Sequence, residues 1–386
     1  MLVISFDAVG DRELDILAQY PTISRFMKTA TLTRDVSSVF VSNTYPIHTS
    51  IATGVTPDVH GITANYEPFP TETPIWYEDA RDIRVKTIWE AAKEKGIETA
   101  AVLWPVTGYS KSIKYNIPEM HKRPGENQIV ANFKAGSKLL QAKMSLRYGK
   151  LMDGVNQPNL DDFATSCMVD ILTRYNPGLA LMHLTAYDAL CHKYGRDSDE
   201  LITAYKSLDT NLARLLNAIT ADRDVIVFSD HSQINVHTSV NLNKELVKMG
   251  LLTWDGGKFL PGDSGCFVEC VGGCAFFHAG SLTIPSIKQI QSKISKSEGF
   301  RRFLTDDEMR GSGQTAAFGF CAQEGYFYES FPSGHKATHG FPLDMPDYRV
   351  FYMHRGKGIT PGNVTSGGSV LDITSIIVQR LGLKLT

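Results

Sequence analysis

The 386-residue chain has no long apolar run and little net charge. No stretch approaches the roughly 18 consecutive apolar residues that a membrane-spanning helix needs, so we expect no membrane segment. Its 39 lysines and arginines nearly balance its 41 aspartates and glutamates, for a formal net charge of -2. That balance excludes a chain-wide positive field of the kind that binds nucleic acid polymers or membrane surfaces. An anionic substrate must therefore be held by local groups.

The sequence also has few cysteines and begins without the features of a secretory signal. Six cysteines are scattered along the chain with no framework spacing, which is typical of reduced thiols. The opening MLVISFDAVG lacks a basic start, a long apolar stretch and a small-residue cleavage site, and it has the pattern of a buried strand. We therefore expect a cytoplasmic protein. Cys266, Cys270 and Cys274 could bind a metal, but their strand-like setting in CFVECVGGCAFF favours core positions.

What the chain does have is a regular alternation of strand-like and helical patterns. LVISF, IETAAVLW, LALMHL and DVIVFSD have the pattern of strands, and TIWEAAKEKG and DELITAYKSLDTNLARLLNAI have that of helices. The alternation predicts an α/β protein with a mostly parallel central sheet and helices on both faces. YRVFYMHRG and LDITSIIVQRLGL predict a last strand and a closing helix.

Two regions interrupt this alternation. Residues 108–165 form a long polar segment punctuated by glycine and proline, for which we predict an inserted lid over a site. Residues 235–335 form a second, smaller excursion with short strands and helices. The predicted core is therefore discontinuous, 1–107 and 166–386, and the second excursion lies within it.

A threonine stands at a predicted strand-to-helix corner in SNTYPIHTSIATG. The preceding SSVFV predicts a strand, Asn43 or Thr44 can cap the following helix, and Gly54 suits its end. The start of a helix offers free backbone N–H groups and the positive end of the helix dipole, which favour an anion. Taken alone, Thr44 is better explained as an ordinary helix cap.

Acids and histidines follow several of the predicted strands. These side chains are Asp7, Asp188, His192, Asp230 and His231, and His339 lies just before a further predicted strand. Because the carboxyl ends of the strands meet at the ligand-binding edge of an open α/β sheet, we expect them to converge. Asp188 and His192 are four residues apart, so on a helix they face one way and can grip one metal ion.

Three carboxylates and three imidazoles can hold two adjacent divalent metal ions. This mixture of nitrogen and oxygen ligands suits zinc, with manganese or iron as alternatives. Two metals a few ångströms apart can clamp a phosphoryl group and activate an oxygen nucleophile, and the Thr44 hydroxyl is available for that attack. Each residue taken singly has a structural explanation, but the ordered set on strand ends favours chemistry.

Five motifs together resemble the alkaline phosphatase superfamily, in its nucleotide pyrophosphatase/phosphodiesterase (type I phosphodiesterase) branch. They are FDAVG, NTYPIHTSIATGVTPDVHGITAN, LTAYDALCHKYG, FSDHSQ and THGFPLDMPDYRVFYMHRG. The resemblance covers most of the chain outside the two excursions. It implies an alkaline-phosphatase-like fold and metal-dependent hydrolysis of phosphate diesters or nucleotide pyrophosphate bonds through a phospho-threonine intermediate. The implied substrate is a small phosphate ester or a nucleotide.

Matched residue by residue, the resemblance assigns roles within the site. It implies one metal, expected to be Zn²⁺, on Asp188, His192 and His339, and a second on Asp7, Asp230 and His231. Thr44 would sit on the second metal as the nucleophile. Asn65 would hydrogen-bond a phosphoryl oxygen, and Tyr45 would form one side of a leaving-group or base slot.

Departures from the branch leave the substrate open. The branch commonly has Asp-Gly and an arginine after the first aspartate, where this chain reads DAVGD, and Gly-Met where this chain has Ser232-Gln233. The alternatives are a phosphomonoesterase or a phosphonate hydrolase similar to phosphonoacetate hydrolase, whose dianionic substrate would need cations from the lid. The lid offers Lys111, Lys114, Lys122 and Arg123. A non-catalytic metal- or nucleotide-binding protein would have no need for the nucleophile.

Overall fold

The computed structural model describes residues 1–121 and 125–385. Their strands are β1 (Leu2–Phe6), β2 (Thr31–Val36), β3 (Thr99–Val102), β4 (Tyr115–Ile117), β5 (Leu179–Leu184), β6 (Val225–Phe228), β7 (Ile234–Val240), β8 (Leu252–Asp255), β9 (Lys258–Pro261), β10 (Phe267–Cys270), β11 (Cys274–His278), β12 (Phe300–Phe303), β13 (Phe318–Ala322), β14 (Gly325–Tyr328), β15 (Ala337–Thr338), β16 (Val350–Arg355) and β17 (Val364–Ser366).

The α-helices of the same residues are α1 (Leu14–Leu17), α2 (Pro21–Thr29), α3 (Thr44–Thr53), α4 (Pro57–His60), α5 (Ile88–Glu94), α6 (Gln128–Ala135), α7 (Lys138–Tyr148), α8 (Asn159–Tyr175), α9 (Ala186–Tyr194), α10 (Leu201–Asn217), α11 (Leu242–Lys248), α12 (Ile284–Ile294), α13 (Asp306–Ser312) and α14 (Leu371–Leu381). None of these helices combines the length and the apolar character needed to cross a bilayer.

An eight-stranded sheet forms the centre of the molecule, in the order β17-β2-β16-β6-β1-β5-β3-β4. Strand β1 is parallel to both of its neighbours, with Ile4 opposite Met182 of β5 and Val227 of β6. Strands β3, β4 and β17 also run parallel to their partners, whereas β16 is antiparallel to β6 and β2. The predicted α/β class with a mostly parallel sheet is therefore confirmed.

Helices cover both faces of this sheet. Ile4 of β1 lies in one apolar core with side chains from α2, α8, α9 and α10, whereas Val3 lies in the other with side chains from α3, α5 and α14. Successive side chains of a strand point to opposite faces, so a strand covered on both sides appears in the sequence as a nearly continuous apolar run. The exception in LVISF is Ser5, whose Oγ is hydrogen-bonded to His48 Nε2 of α3 at 3.0 Å.

The two excursions add separate structure around the sheet. The predicted lid, 108–165, contains β4, α6, α7 and the first turns of α8. The second excursion, 235–335, contains a four-stranded sheet, β10-β11-β13-β12, the hairpin β8-β9, and most of a three-stranded sheet, β14-β7-β15, whose strand β15 lies just beyond it. Cys266, Cys270 and Cys274 are buried there, and all six cysteines of the chain are free thiols. The domain boundaries themselves stay predictions.

One predicted strand, SSVFV, is wrong. Strand β2 ends at Val36, and the following segment does not continue the strand. Ser38 Oγ donates to the backbone oxygen of Asp230 at 2.5 Å, and Val41 is buried in a small side cluster. A short apolar run is compatible with a strand or with a buried irregular segment, and periodicity alone does not separate them.

Candidate active site

The carboxyl ends of three neighbouring strands, β6, β1 and β5, carry most of the predicted ligands. Asp7 follows β1, Asp230 and His231 follow β6 by one residue, and α9 begins two residues after β5 and carries Asp188. The structure brings the six predicted residues together as two groups of three. In each group the candidate ligand atoms lie within 4.8 Å of one another; the groups are Asp188, His192 and His339, and Asp7, Asp230 and His231.

Thr44 is the first residue of α3 and lies beside the second of these groups. Its Oγ1 is 3.1 Å from His231 Nε2. Asn43 is the N-cap residue, but its side chain does not cap the helix, and Asn43 Oδ1 instead lies 3.2 Å from His339 Nδ1. Gly54 ends the helix in the left-handed conformation, as predicted. The helix start therefore contacts both groups.

The group of Asp7, Asp230 and His231 is buried, and Asp7 borders the cavity that Thr44 also lines. Asp7 Oδ1 and Asp230 Oδ2 are buried and have no hydrogen-bond partner among the described residues. Burial raises the pKa of Asp7 well above its usual value, and the charges of Asp230 and Asp188 raise it further. Two carboxylate oxygens that are buried without a hydrogen-bond partner this close together fit a bound cation, because burying such oxygens is costly until an opposite charge or a donor meets them.

The group of Asp188, His192 and His339 is half-buried. His192 Nε2 is 3.4 Å from Asp188 Oδ1, one helical turn away on α9. The start of α9 is held by Asp161, whose two carboxylate oxygens accept from the backbone N–H groups of Thr185 and Ala186 at 3.0 and 2.9 Å. The cap fixes the rotation of α9 and thereby the direction of both ligand side chains.

All three candidate histidine ligands use Nδ1 for a structural hydrogen bond. His192 Nδ1 is 2.8 Å from the backbone oxygen of Ala337, and His231 Nδ1 is 3.2 Å from that of Ser232. His339 Nδ1 contacts the amide oxygen of Asn43 as described above. An oxygen acceptor at Nδ1 places the proton there and leaves Nε2 as a lone-pair donor, which is the usual arrangement of a metal-binding imidazole.

Two glycines let the segment that carries His339 approach the β10-β11 turn. A Cβ on Gly272 (φ +95°) would lie 2.3 Å from the backbone oxygen of His339, and one on Gly340 (φ +78°) would lie 1.8 Å from that of Val271. Both positions have left-handed backbone, which glycine adopts without a steric penalty. Any larger residue at either position would displace His339.

The two residues predicted to contact substrate, Asn65 at a phosphoryl oxygen and Tyr45 at the leaving-group or base slot, lie next to Thr44. Asn65 Oδ1 accepts from the backbone N–H of Tyr45 at 2.9 Å, so the Asn65 side-chain NH₂ is the group left for a substrate oxygen. Tyr45 is 2% exposed, and its ring centroid is 5.3 Å from that of Trp76. All three side chains line the same cavity as Thr44.

That cavity has a volume of about 1070 Å³ and is mostly apolar. Its walls come from the site, from the loop around residues 66–76, from the predicted lid and from the second excursion. Among the described residues no lysine or arginine lines it. Lys111 and Lys114 lie elsewhere, where Lys114 pairs with Glu98, and Lys122 and Arg123 lie outside the described residues.

A family model described as type I phosphodiesterase / nucleotide pyrophosphatase matches residues 1–280. The chain belongs to this family. The match includes five of the six candidate ligands, and His339 lies beyond it. Membership in the type I phosphodiesterase / nucleotide pyrophosphatase family makes the chain a metal-dependent hydrolase of the alkaline phosphatase superfamily, as the motifs predicted.

Known relatives and solved structures agree with this membership. Human bis(5′-adenosyl)-triphosphatase ENPP4 is 30% identical over 422 residues, covering 100% of this chain and 78% of the relative. Human ectonucleotide pyrophosphatase/phosphodiesterase family member 1 is 24% identical over 58% of this chain and 20% of its own length. The fold matches murine ectonucleotide pyrophosphatase/phosphodiesterase 5 with a TM-score of 0.72 at 15% identity, over 100% of this chain and 96% of that one.

Sequence reasoning missed two contacts with the candidate ligands. His183 of β5 lies with its Nε2 3.0 Å from Asp7 Oδ2, and Gln233 donates from Nε2 to Asp188 Oδ1 at 2.5 Å. A histidine inside the apolar run LALMHL was the available signal for the first. Gln233 was visible only as a departure from the family pattern, because its partner is 45 residues away in the chain.

We expect Gln233→Met to weaken metal binding by the Asp188 group. Methionine has a similar volume but cannot hold the Asp188 carboxylate, and loss of such an orienting contact costs about 10- to 100-fold in metal affinity. Zinc affinity measured by competition with a chromophoric chelator checks this. Gln19→Met, at a residue far from the site, is the control, and an unchanged affinity in Gln233→Met would show that the contact is incidental.

Proposed function

We propose that this chain hydrolyses phosphate diesters and nucleotide pyrophosphate bonds, with Thr44 as the nucleophile. The observation that carries the proposal is the position of Thr44 Oγ1, which lies 3.1 Å from His231 Nε2 in a cavity that also contains the Asp188 group. A helix cap needs no such neighbours. The location of a hydroxyl between two sets of metal-binding side chains supports attack on phosphorus.

The two groups would hold two divalent cations, which we propose are Zn²⁺. The group of Asp7, Asp230 and His231 supports this with its unpartnered Asp7 and Asp230 oxygens, and three imidazoles among the candidate ligands favour zinc over magnesium or calcium. When bound, the two cations supply positive charge that neutralises the phosphoryl oxygens and lowers the pKa of a nearby hydroxyl.

The residues of the chain carry out the remaining steps. Thr44 Oγ1 gives up its proton and forms a bond to phosphorus while the bond from phosphorus to the leaving oxygen breaks; the leaving oxygen takes up a proton, and a phospho-threonine remains. Water then forms a new bond from its oxygen to phosphorus as the bond between phosphorus and Thr44 breaks, and one of its protons returns to Thr44 Oγ1 as the hydroxyl. The Asn65 NH₂ group donates to a phosphoryl oxygen, and its own carbonyl stays on the Tyr45 N–H, so the donor is held in place before substrate arrives.

The charge of the cavity supports a diester over a monoester or a phosphonate. A monoester or phosphonoacetate carries an additional negative charge, and the described wall contains no lysine or arginine to balance it. The mostly apolar wall suits the second substituent of a diester. The relatives point to nucleotides: one is named a bis(5′-adenosyl)-triphosphatase, and the murine structure is described as an inactive variant in complex with AMP.

A cytoplasmic location is also part of this proposal. Its support is that all six cysteines are free and buried, as is usual in a reducing compartment. Separation of cell extracts into cytosolic and exported fractions, followed by immunodetection of the untagged chain, tests it. Recovery in the exported fraction would contradict it.

The experiment for the reaction compares bis-p-nitrophenyl phosphate with p-nitrophenyl phosphate on zinc-loaded protein. We expect a kcat/KM that is about tenfold or more higher for the diester, equivalent to one unfavourable charge contact of about 1.4 kcal/mol. Initial rates at matched concentrations measure the ratio. A preference for the monoester, or no turnover of either ester, would contradict the diester assignment.

A further inference from the structure

The predicted lid holds a large share of the exposed apolar side chains of the molecule. Among the described residues, seventeen large apolar side chains are well exposed, and seven of these lie between residues 129 and 155. Single exposed apolar side chains are ordinary on a protein surface. A cluster of them in one short segment marks a place where the surface meets a partner.

Helix α7 of the lid buries one side and exposes leucines on the other. Leu140, Gln141 and Met144 are its buried residues, and the helix lies against β4 and α8. Leu139 and Leu146 are 80% and 88% exposed. They are seven residues apart, so they lie on the same side of the helix. The rest of the chain therefore leaves both leucines in contact with solvent.

The same segment is strongly basic. Between residues 127 and 152 the sequence has five lysines and arginines and no aspartate or glutamate, although the net charge of the whole chain is -2. Two of the five are paired with acidic residues outside this range. The other three, Lys138, Lys143 and Lys150, are exposed and form no ion pair with a described residue. The lid thus has a local positive charge that is not compensated.

Lysines and leucines alternate along the exposed side of α7. Leu139, Lys143 and Leu146 follow one another at the spacing i, i+4 and i+7, which is one side of a helix. Lys150 comes one turn later, in the short 3₁₀ turn that continues α7. We call these four residues the lid face. None of the four lines the cavity that contains Thr44.

Exposed apolar side chains continue from the lid face to the opening of the cavity. Met152 follows Lys150 by two residues, and Ile129, Met152 and Val155 are exposed and also line the cavity. A side chain that lines a cavity and is itself well exposed borders the opening of that cavity. The lid face and the opening therefore lie on neighbouring parts of the surface.

Alternating leucines and lysines match the surface of an anionic bilayer. Leucine side chains enter the boundary between headgroups and acyl chains, and the stems of lysines lie along apolar groups while their ammonium groups reach the lipid phosphates. A protein partner fits less well, because the centres of protein interfaces are poor in lysine. A nucleic acid would engage the lysines through its phosphates but would leave the leucines in water.

We propose that the lid face docks on a bilayer that contains anionic phospholipids. Leu139 and Leu146 enter the interface, and the neighbouring lysines bind the headgroup phosphates. The contact is peripheral and reversible, because none of the described helices can span a bilayer. In the proposed cytoplasmic location, the leaflet that faces the protein is the negatively charged one. The docking does not depend on the proposed reaction.

Flotation with lipid vesicles tests the docking. Zinc-loaded Thr44→Ala protein, for which we expect no turnover of lipid, is mixed with vesicles of phosphatidylcholine alone or of phosphatidylcholine with an equal amount of phosphatidylglycerol. We expect about 100-fold higher affinity for the anionic vesicles, or about fivefold for each of three lysines. Most of this difference should disappear when NaCl is raised from about 0.05 to about 0.5 M. Equal binding to both vesicles, or binding to neither, would overturn the proposal.

Two double variants assign the docking to the lid face. Lys143→Gln with Lys150→Gln is expected to lower the affinity for anionic vesicles about 25-fold. Leu139→Ser with Leu146→Ser is expected to lower it about tenfold or more, because the apolar groups that enter the lipid are removed. A loss in the lysine variant alone would show that charge attraction acts without insertion, and it would contradict docking through the leucines.

A third double variant is the matched control. Ile284→Ser with Lys288→Gln makes the same kinds of change four residues apart on α12, another helix that exposes an isoleucine and several lysines. We expect this variant to bind anionic vesicles as tightly as its parent, and thermal unfolding of all the variants verifies that each one is folded. An equal loss of affinity in the control would contradict the assignment to the lid face.

Light scattering tests whether a second copy of the chain covers the leucines instead. We expect the parent protein and the variant with Leu139→Ser and Leu146→Ser to have the same mass in solution. An assembly of the parent protein that these two substitutions reduce to single chains would show that the lid face joins two copies, and it would overturn the proposal. An unchanged mass together with weaker vesicle binding would support the docking.

Discussion

Replacing Thr44 by alanine is expected to lower turnover of bis-p-nitrophenyl phosphate by about 10⁴-fold or more, which is typical for loss of a nucleophile. The side chain is buried at the start of α3 and forms no capping bond within the helix, so its removal should leave the fold and the metal content near normal. Initial rates, metal analysis and thermal unfolding of the zinc-loaded variant measure the three quantities. Activity within about tenfold of wild type would rule out Thr44 as the nucleophile.

Two companion variants make the Thr44 result specific. Thr44→Ser keeps the hydroxyl and is expected to retain part of the activity. Thr53→Ala removes a buried hydroxyl from the last turn of the same helix, where it donates to the Thr49 backbone oxygen at 2.8 Å. Thr53 lies away from the cavity, so we expect its removal to affect stability by about 1 kcal/mol and the chemical step little.

Removing the metals is expected to abolish activity and to lower stability more at neutral than at acidic pH. Without cations, Asp7 and Asp230 keep unpartnered buried oxygens, and burial together with the neighbouring carboxylates raises the pKa of Asp7. A carboxyl whose folded pKa is raised contributes stability that is fully present below about pH 4 and is lost as pH rises through the folded value. The metal-free protein should therefore become less stable from pH 4 toward neutrality.

Bound zinc should reverse this trend, because it binds the deprotonated carboxylates. At free zinc 100- to 1,000-fold above its dissociation constant, we expect about 3–4 kcal/mol of added stability. Thermal unfolding of chelator-treated protein from pH 4.5 to 8, with and without added zinc, gives both curves. Full activity after exhaustive chelation, or a metal-free protein that gains stability toward pH 8, would contradict the assignment of the two groups.

The ligand groups could be predicted from the sequence because their positions follow from topology. Asp7, Asp188 and Asp230 come directly after apolar runs, and the carboxyl ends of neighbouring parallel strands bring such residues to one edge. His339 follows no strand of the main sheet; the sequence offered it as a candidate from its place just before a predicted strand, and its grouping with Asp188 and His192 came through the resemblance. The contacts of Gln233 and His183 could not be predicted, because each depends on where a partner distant in the chain places one side chain.

The side chains that form the cavity wall were less predictable than the candidate metal-binding groups. Glu119, Trp76 and His121 lie in segments without strong periodicity, and a sequence pattern does not give the direction of their side chains. The strand predicted for SSVFV was wrong because a short buried run without alternating polar residues does not determine the backbone conformation. Tyr45 was predicted through the resemblance, and it lines the cavity from the same helix as Thr44.

The order of strands in the central sheet has a consequence for how the protein is made. Strand β2 lies next to β16 and β17 in the sheet, and β16 stands between it and β6. During synthesis, β2 must therefore wait for more than three hundred further residues before its neighbours exist. His339 is also translated late. A nascent or truncated chain that ends before β16 would expose an unpaired edge and an incomplete metal group, so aggregation and chaperone dependence should be concentrated in the last stage of translation.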